Sequence, residues 1–159
     1  MDKTKVVLVN PFHYYFEGRF KKRARYFEQP MGLAYVAGYL LKHNPGVDVE
    51  ILCANELGYD LDEALEQVLK KDPHIVGVTA VTLNAVWAKE FCRKVKEARP
   101  DLLTVVGGPH PTALPEDFFP YADISVIGEG EQTMLELCEA IESGGELCAL
   151  FRGQYAVLG

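Results

Sequence analysis

Short apolar runs alternate with helical apolar patterns along the whole 159-residue chain, and this alternation restricts the fold more than any other feature. The predicted strands are residues 5–10, 47–53, 75–79, 102–106 and 124–127. Because nearly every residue in these runs is apolar, both faces of their sheet are expected to be covered, as in parallel sheets with helices on each side. Right-handed crossovers then predict a three-layer, doubly wound α/β domain of five strands.

The helices between these strands are predicted from apolar residues that recur at spacings of three and four. One helix opens at Pro30 and ends at Asn44-Pro45-Gly46, and another has Asp60 as its N-cap. Residues 11–29 have no clean period and are predicted to form an unusually long connection, while residues 151–159 have the pattern of an extra strand.

Charge and cysteine content restrict the partners and the compartment. The net charge is −7, although residues 1–30 hold seven Lys or Arg against three Asp or Glu. A general nucleic-acid binder is basic overall, so nucleic acid is not expected as a partner. A membrane is not expected either, because no apolar run approaches the roughly 20 residues that cross a bilayer. The cysteines at 53, 92, 138 and 148 lack C-x-x-C spacing, which disfavours zinc and iron–sulfur sites and favours buried thiols in a reducing cytoplasm.

The unusual residues of the chain follow the ends of the predicted strands. In open α/β sheets, ligands bind beyond the carboxyl ends of the strands, so these loops together predict a ligand cleft. Its candidate residues are Asn10 and Pro11 after the first strand, Thr79 and Thr82 after the third, Gly107, Gly108, Pro109 and His110 after the fourth, and Gly128, Glu129, Gly130, Glu131 and Thr133 after the fifth.

Two of these loops also have purely structural explanations. The pair Gly107-Gly108 removes two Cβ atoms, so that a bulky group could lie against the backbone, but a tight turn with positive φ would require glycine as well. Glu131 and Thr133 could serve only to cap a helix at the positive end of its dipole. Two glycines flanking Glu129 are harder to explain by capping.

Motifs for common cofactors and reactions are absent from this predicted rim. The first strand leads into Asn10-Pro11 and not into G-x-G-x-x-G, and neither a G-x-x-x-x-G-K-[ST] phosphate loop nor a nucleophile elbow occurs. A phosphorelay receiver needs an aspartate where Thr79 stands. Because no catalytic pair is evident, a binding domain is favoured over a complete enzyme.

Four stretches of the chain, in order, resemble one known family. They are Pro30-x-Gly32-Leu33-Ala34-Tyr35, Val76-Gly77-Val78-Thr79, Gly107-Gly108-Pro109-His110-Pro111-Thr112 and Gly128-Glu129-Gly130-Glu131-x-Thr133. Together they resemble the cobalamin (vitamin B12)-binding domain at the N-terminus of class B radical SAM enzymes, which include methyltransferases and anaerobic cyclases. The resemblance covers nearly the whole chain, so residues 1–159 are expected to form a single cobalamin-binding domain.

This resemblance implies a flavodoxin-like fold with strand order 2-1-3-4-5 and a site at the strand ends. The corrin would rest on the rim, and the dimethylbenzimidazole tail would thread between the sheet and its helices. By the same resemblance, Gly107 and Gly108 would lie beside the tail, Thr79 and Thr82 would take the place of the family's Ser/Thr tail contacts, and Gly128, Glu129 and Gly130 would line the other wall.

Two departures from related domains shape the expected chemistry. The chain is predicted to lack the D-x-H-x-x-G motif, which supplies an axial histidine to cobalt in methionine-synthase-type domains. Cobalamin is therefore expected to bind with its own base displaced and with no metal ligand from the protein. The C-x-x-x-C-x-x-C motif is also missing, so SAM and a [4Fe-4S] cluster are assigned to a radical SAM partner domain in cis, and this domain alone is not expected to perform radical chemistry.

The residues alone leave other functions and other roles for single side chains open. The alternative function is a ligand-free α/β protein-interaction domain, whereas an FMN-binding flavodoxin relative is disfavoured because no Ser/Thr-rich phosphate loop follows the first strand. His110 either contacts the corrin edge or fixes its loop, and His13 is expected to have a surface or packing role. The aromatic and basic residues within 11–29 are expected to cover the missing domain or the corrin, with nucleic-acid or phosphate contact as the alternative. Trp87 and Phe91 are predicted to be core residues.

Overall fold

Strands and helices alternate in the structure much as the apolar pattern predicts. The computed structural model describes residues 3–12, 14–17, 20–23, 29–144 and 155–158. The strands are β1 (Thr4–Asn10), β2 (Tyr14–Glu17), β3 (Phe20–Arg23), β4 (Val47–Cys53), β5 (Ile75–Thr79), β6 (Leu103–Gly107), β7 (Ile124–Ile127) and β8 (Tyr155–Leu158). The helices are α1 (Met31–His43), α2 (Ala54–Leu57), α3 (Leu61–Lys70), α4 (Ala85–Ala98), α5 (Pro109–Ala113) and α6 (Glu131–Glu142), with a short 3₁₀ helix over Pro115–Phe118.

The main sheet has the strand order β4-β1-β5-β6-β7-β8, and all of its pairs are parallel. Counted among the strands predicted from the sequence, its first part has the order 2-1-3-4-5, so the doubly wound, flavodoxin-like prediction is confirmed. The pattern at residues 151–159 also contains a strand, because β8 pairs with β7 and places Tyr155 opposite Ile124. The sheet therefore has one strand more than the core prediction.

Within residues 11–29 the structure has two short strands that the sequence analysis did not predict, because β2 and β3 pair in an antiparallel arrangement. Tyr14 lies opposite Arg23, and Glu17 lies opposite Phe20. The sequence places its aromatic and basic residues in separate blocks, and a search for alternating polarity does not detect such strands. His13, Arg19 and Arg25, which belong to this predicted aromatic and basic segment, lie outside the described residues.

Alternate residues of the central strands pack in two separate hydrophobic cores, because successive side chains of a strand point to opposite faces of the sheet. On one face, Val7 and Val9 pack in a cluster with residues of α3 and α4. On the other face, Val6 and Leu8 pack with residues of α1 and α6. The sheet is thus covered on both sides, as its apolar strands predict. Trp87 and Phe91 of α4 are 3% and 0% exposed, so their prediction as core residues is confirmed.

Local signals set the start of α3 as predicted. The Asp60 side chain accepts hydrogen bonds from the backbone N–H groups of Asp62 and Glu63, and the Glu63 carboxylate accepts one from the Asp60 N–H. This reciprocal arrangement is a capping box. Among the helices that the structure describes, none combines the length and the hydropathy needed to cross a membrane.

Candidate ligand-binding site

A cavity of about 170 Å³ lies between the sheet and the helices α1 and α6, at the carboxyl end of the central strands. Strand residues such as Leu8 and Val105 line one side, and Leu33 and Met134 of the two helices line the other. The full lining is Leu8, Gly32, Leu33, Tyr35, Val36, Gly77, Val78, Thr79, Val105, Gly107, Gly108, Val126, Gly128, Glu129, Gly130, Glu131 and Met134. The cavity is mostly apolar, with Thr79, Tyr35 and two carboxylates among its polar groups.

Several glycines of the lining keep this space open without being required by the protein's own packing. A Cβ on Gly107 would meet only Val126 Cβ at 3.8 Å, and one on Gly130 would meet only Val36 Cγ2 at 3.8 Å, both ordinary contacts. A Cβ on Gly32 would meet nothing within 4 Å. The structure thus leaves free volume at these positions, which a bulky ligand lying against the backbone can use.

Gly108 has a different role, because its backbone conformation itself requires glycine. Its φ is +107° and its ψ is −174°, a region that other residues essentially do not adopt. A Cβ there would lie 2.9 Å from the Ala80 carbonyl oxygen and 3.0 Å from Thr79 Oγ1. The structural explanation by a strained turn therefore applies to Gly108 and not to Gly107, whose φ is not positive.

Hydrogen bonds join the loops of the rim to one another. The Ala80 N–H donates to the Gly107 carbonyl at 2.8 Å, and the His110 N–H donates to the Ala80 carbonyl at 3.0 Å. The Gly128 N–H donates to Thr112 Oγ1 at 3.1 Å. The two glycine-rich motifs predicted to share a site are therefore in direct contact, through a residue that belongs to the first motif.

His110 fixes its loop. Its side chain is 9% exposed, and its Nε2 lies 2.9 Å from Asp117 Oδ2 while its Nδ1 lies 3.2 Å from Thr82 Oγ1. Its ring also packs edge-on against Phe118, with ring centroids 5.8 Å apart. Of the two roles left open by the sequence, the structure supports the loop-fixing one, because both ring nitrogens already have partners within the protein.

The structure brings about half of the predicted site residues to the cavity. The lining includes the predicted residues Thr79, Gly107, Gly108, Gly128, Glu129, Gly130 and Glu131. The predicted residues outside this lining are Asn10, Pro11, Thr82, Pro109, His110 and Thr133. Of these, Asn10 and Thr133 are 6% and 3% exposed, so they are buried beside the rim. Thr82 and Pro109 are exposed.

The sequence analysis missed the apolar residues that enclose the cavity. Gly77 lies inside β5, and a Cβ there would lie 2.7 Å from Leu8 Cδ2. A glycine inside an apolar strand indicates a close approach, so this position carried a signal. Leu33, Val36 and Met134 gave no comparable signal, because apolar residues at helical spacing also describe an ordinary core.

The prediction that the chain lacks a D-x-H-x-x-G motif is wrong. The motif occurs in the sequence at Asp72-Pro73-His74-Ile75-Val76-Gly77. However, His74 precedes β5, whereas Thr79 at the end of that strand lines the cavity. At about 3.3 Å per strand residue, His74 is roughly 16 Å from that end. Its Nδ1 accepts the Lys5 backbone N–H at 3.0 Å, so the match lies at the opposite edge of the sheet.

The remaining polar groups of the described residues add neither a metal site nor a hydrogen-bond donor to the cavity. In residues 3–12 and 29–144, no group of three His, Cys, Asp or Glu side chains could hold a metal ion. Trp87 Nε1 is a buried donor without a hydrogen-bond partner in the same part of the chain. Trp87 belongs to the core of the α3 and α4 face, and the cavity lies on the other face, so this donor does not belong to the site.

The family to which this arrangement belongs is shown by comparison with known proteins. The profile of the B12-binding domain family matches residues 22–138, which include all but one of the cavity-lining residues. The chain therefore belongs to the B12-binding domain family.

Its relatives are much longer proteins. The chain is 36% identical over 120 residues to the anaerobic magnesium-protoporphyrin IX monomethyl ester cyclase of Rubrivivax gelatinosus, a match covering 72% of this chain and 21% of the cyclase. It is 37% identical over 123 residues to an uncharacterized methyltransferase of Pyrococcus horikoshii, covering 74% of this chain and 26% of that protein. The chain thus spans about a fifth to a quarter of the length of these relatives.

A solved structure has the same fold. The apo, selenomethionine-labelled cobalamin-dependent S-adenosylmethionine radical enzyme OxsB superposes with a TM-score of 0.68 at 20% sequence identity. The superposition covers 92% of this chain and 20% of that enzyme. At this identity the likeness concerns the fold alone.

Proposed function

We propose that residues 1–159 form one cobalamin-binding domain that holds the corrinoid at the carboxyl edge of its sheet. Membership of the B12-binding domain family supports the class of ligand. The observation that carries the proposal is the cavity between the sheet and α1 and α6, which is kept open by Gly107, Gly130 and Gly32 although the protein's packing does not require glycine there. When bound, cobalamin supplies a cobalt centre able to accept and hand on a methyl group.

The residues of the cavity have distinct roles in this proposal. Its apolar walls would exclude water from the aromatic base of the nucleotide tail, and Gly107 would let that base lie against the backbone. The Thr79 hydroxyl and the Glu129 and Glu131 carboxylates would offer hydrogen-bonding groups at the wall and the entrance. Pro109 and Asn10 would support the loops around the cavity.

We further propose that the corrinoid binds with its base displaced and without an axial histidine. His110 has protein partners at both ring nitrogens, and His74 precedes β5 at the opposite edge of the sheet. Among the described residues, His43 is remote as well, because it ends α1 and packs on Tyr39. Electron paramagnetic resonance of bound cob(II)alamin tests this. Hyperfine splitting from an axial nitrogen would contradict the proposal.

The first experiment measures retention of the corrinoid. Purified protein is incubated with hydroxocobalamin and desalted, and the visible spectrum reports the bound fraction. Gly107→Leu is expected to abolish retention because its side chain occupies the cavity. The control is Gly38→Leu, since Gly38 is exposed on α1 with nothing within 4 Å of a Cβ. Failure of the folded wild-type chain to retain corrinoid would refute the proposal and favour the ligand-free interaction domain.

The longer relatives support a second proposal, about the partner. We propose that this domain serves a radical SAM domain in cis, which binds SAM and a [4Fe-4S] cluster and performs methyl transfer or cyclisation in the cytoplasm. The named cyclase and methyltransferase extend well beyond the region that matches this chain. Sequencing the gene beyond the Gly159 codon tests the proposal, and a stop codon with no C-x-x-x-C-x-x-C downstream would contradict it.

A further inference from the structure

Three side chains of the loops at the carboxyl edge of the sheet form a hydrogen-bonded series that has no role in the cobalamin site described above. Asp117 Oδ2 lies 2.9 Å from His110 Nε2, and His110 Nδ1 lies 3.2 Å from Thr82 Oγ1. Thr82 belongs to the loop after β5, His110 to α5 and Asp117 to the 3₁₀ helix. The series begins at a half-buried carboxylate, passes through a buried ring and ends at an exposed hydroxyl.

The carboxylate end is held in its charged form. Lys89 Nζ pairs with Asp117 Oδ2, and this contact, with the hydrogen bond to His110, lowers the pKa of Asp117 from its usual value. An ionised carboxylate only accepts hydrogen bonds. His110 Nε2 must therefore carry a proton and donate it to Asp117 Oδ2.

The direction of the hydrogen bond at the other end of the series depends on whether the ring carries this proton alone. In the neutral imidazole, a proton on Nε2 leaves Nδ1 with a lone pair. The contact with Thr82 is then made by the Thr82 hydroxyl, which donates its proton to Nδ1. The only proton of the Thr82 hydroxyl is then used in the hydrogen bond to Nδ1. The exposed Thr82 oxygen therefore has only lone pairs to offer to a group at the rim.

The ring itself is fixed in place by contacts on several sides. His110 is 9% exposed, packs edge-on against Phe118, and has its backbone N–H bonded to Ala80 O at 3.0 Å. The Lys89 ammonium group lies 5.6 Å from the centre of the same Phe118 ring, so it contacts both Asp117 and the ring that packs on His110. Rotation of the imidazole would break contacts with the loop after β5, with the 3₁₀ helix and with Phe118.

We propose that the His110 ring carries a single proton, on Nε2, and that Asp117 and His110 are positioning residues that hold the Thr82 hydroxyl as a hydrogen-bond acceptor for an amide N–H on the edge of the corrin. The corrin periphery carries primary amides, which are donors of this kind. This inference rests on the proposed cobalamin site for its ligand, whereas the orientation of Thr82 is a property of the chain alone.

The first test needs no ligand and so is independent of the cobalamin proposal. Long-range ¹H–¹⁵N correlation spectra of the uniformly ¹⁵N-labelled chain identify the tautomer of each histidine, and His110 is assigned by its loss in His110→Asn. The expected result is a ring protonated at Nε2 and not at Nδ1. Protonation at Nδ1 would overturn the proposal, because Thr82 would then be the acceptor of the ring and its own proton would face the rim.

The second test measures hydroxocobalamin affinity in a set of variants. Thr82→Val is expected to weaken binding about fivefold, as for one net hydrogen bond, while Thr82→Ser stays near wild type. His110→Phe, which keeps a ring against Phe118, is expected to weaken binding by a similar factor. The double variant Thr82→Val/His110→Phe should bind hydroxocobalamin no more weakly than the weaker-binding single variant, because both substitutions remove the same interaction.

These measurements separate the two proposals. Unchanged affinity in folded Thr82→Val, or losses that multiply in the double variant, would overturn the role of the series. If His110→Phe fails to fold by circular dichroism, the exposed Thr82 variants still decide the question. If the wild-type chain binds no hydroxocobalamin, the cobalamin proposal fails, and so does the amide contact that rests on it.

A third measurement tests the amide specificity. Cobinamide carries peripheral amides and lacks the nucleotide tail, and the heptamethyl ester of cobyrinic acid lacks both. In the wild-type chain, cobinamide should bind more tightly than the ester. The ratio of the two affinities should be about fivefold smaller in Thr82→Val. An unchanged preference would contradict amide recognition by Thr82.

Discussion

The Cβ that Gly108 lacks would lie 2.9 Å from the carbonyl oxygen of Ala80, with the Gly108 backbone at φ +107°. Because glycine has no Cβ, the loop after β6 can lie against the loop after β5, where the Ala80 N–H donates to Gly107 O and the His110 N–H donates to Ala80 O. Its neighbour Gly107 has no such restriction, since its Cβ would meet only Val126 Cβ at 3.8 Å. The two adjacent glycines therefore serve different purposes: the first leaves free volume at the cavity, and the second is required by its backbone geometry.

Substitution of the two glycines by alanine should separate these purposes. Gly108→Ala is expected to lower the free energy of unfolding by about 2–3 kcal/mol, because it adds a side chain in a glycine-only backbone region and overlaps Ala80 O. Gly107→Ala should change it by less than about 1 kcal/mol. Urea denaturation curves measure both values, and equal losses would contradict the distinction.

The contact between Gly77 and Leu8 predicts overpacking at the floor of the cavity. The Cβ in Gly77→Ala would lie 2.7 Å from Leu8 Cδ2, and Leu8 is 2% exposed, so this side chain must shift. The expected loss of stability is about 1–3 kcal/mol. Leu8→Ala alone should cost about 2–5 kcal/mol.

The double variant Gly77→Ala/Leu8→Ala provides the check, because removing the Leu8 side chain also removes the overlap. Its loss of stability should be smaller than the sum of the single losses by at least about 0.5 kcal/mol. Strictly additive losses in denaturation experiments would show that the two positions do not interact.

Asp123 is predicted to be a major polar support of the sheet end opposite the cavity. Its Oδ2 accepts from the Thr104 N–H at 2.8 Å, from Thr104 Oγ1 at 2.8 Å and from Lys96 Nζ at 2.9 Å. Thr104 is 0% exposed, so Asp123→Ala leaves a buried donor without its partner and should cost about 2–3 kcal/mol.

The matched control for Asp123 is Asp101→Ala, which also removes an aspartate paired with a basic side chain. Asp101 is exposed and pairs with Arg99 at 2.8 Å, and exposed ion pairs contribute little to stability. Thermal and urea denaturation should therefore show a much smaller loss for Asp101→Ala. A comparable loss in both variants would contradict the importance of the buried Thr104 contact.

Thiol reactivity should follow burial. Loss of water contact raises the pKa of Cys92 to about 12, with Asp123 adding to the effect, and burial likewise raises that of Cys138 to about 12. Because the thiolate is the reactive form, iodoacetamide at about pH 8 should label neither in the folded chain. Burial and Glu56 also raise the pKa of Cys53, which is half-buried, so it should label slowly.

The pH dependence of labelling follows from the direction of these shifts. Raising the pH from about 8 to 9.5 should increase labelling of Cys53, since its thiolate fraction grows, and should leave Cys92 and Cys138 protected while the chain is folded. Peptide mass spectrometry measures each site, and unfolding in urea should make all of them reactive. Labelling of Cys92 in the native chain would contradict its burial.

Much of the fold could be predicted because its signals are local. Apolar runs locate the strands, Asp60 begins α3 through its own neighbours, and the edge on which the ligand loops meet follows from the parallel arrangement of the strands. The hairpin of β2 and β3 was missed because its residues do not alternate in polarity. The D-x-H-x-x-G motif at residues 72–77 was predicted to be absent. It lies away from the cavity, because His74 precedes β5 at the opposite edge of the sheet.

The sequence by itself determined the layered α/β architecture, the glycine-rich loops at the rim and the resemblance to cobalamin-binding domains. Only the tertiary structure decided which glycine leaves free volume at the cavity and which one its backbone geometry requires, and that His110 joins Asp117 to Thr82. The physical reason is that hydrophobic periodicity and capping act within a few residues of the chain. The contacts of Gly107, Gly108 and His110 instead join residues that only the folded sheet brings together.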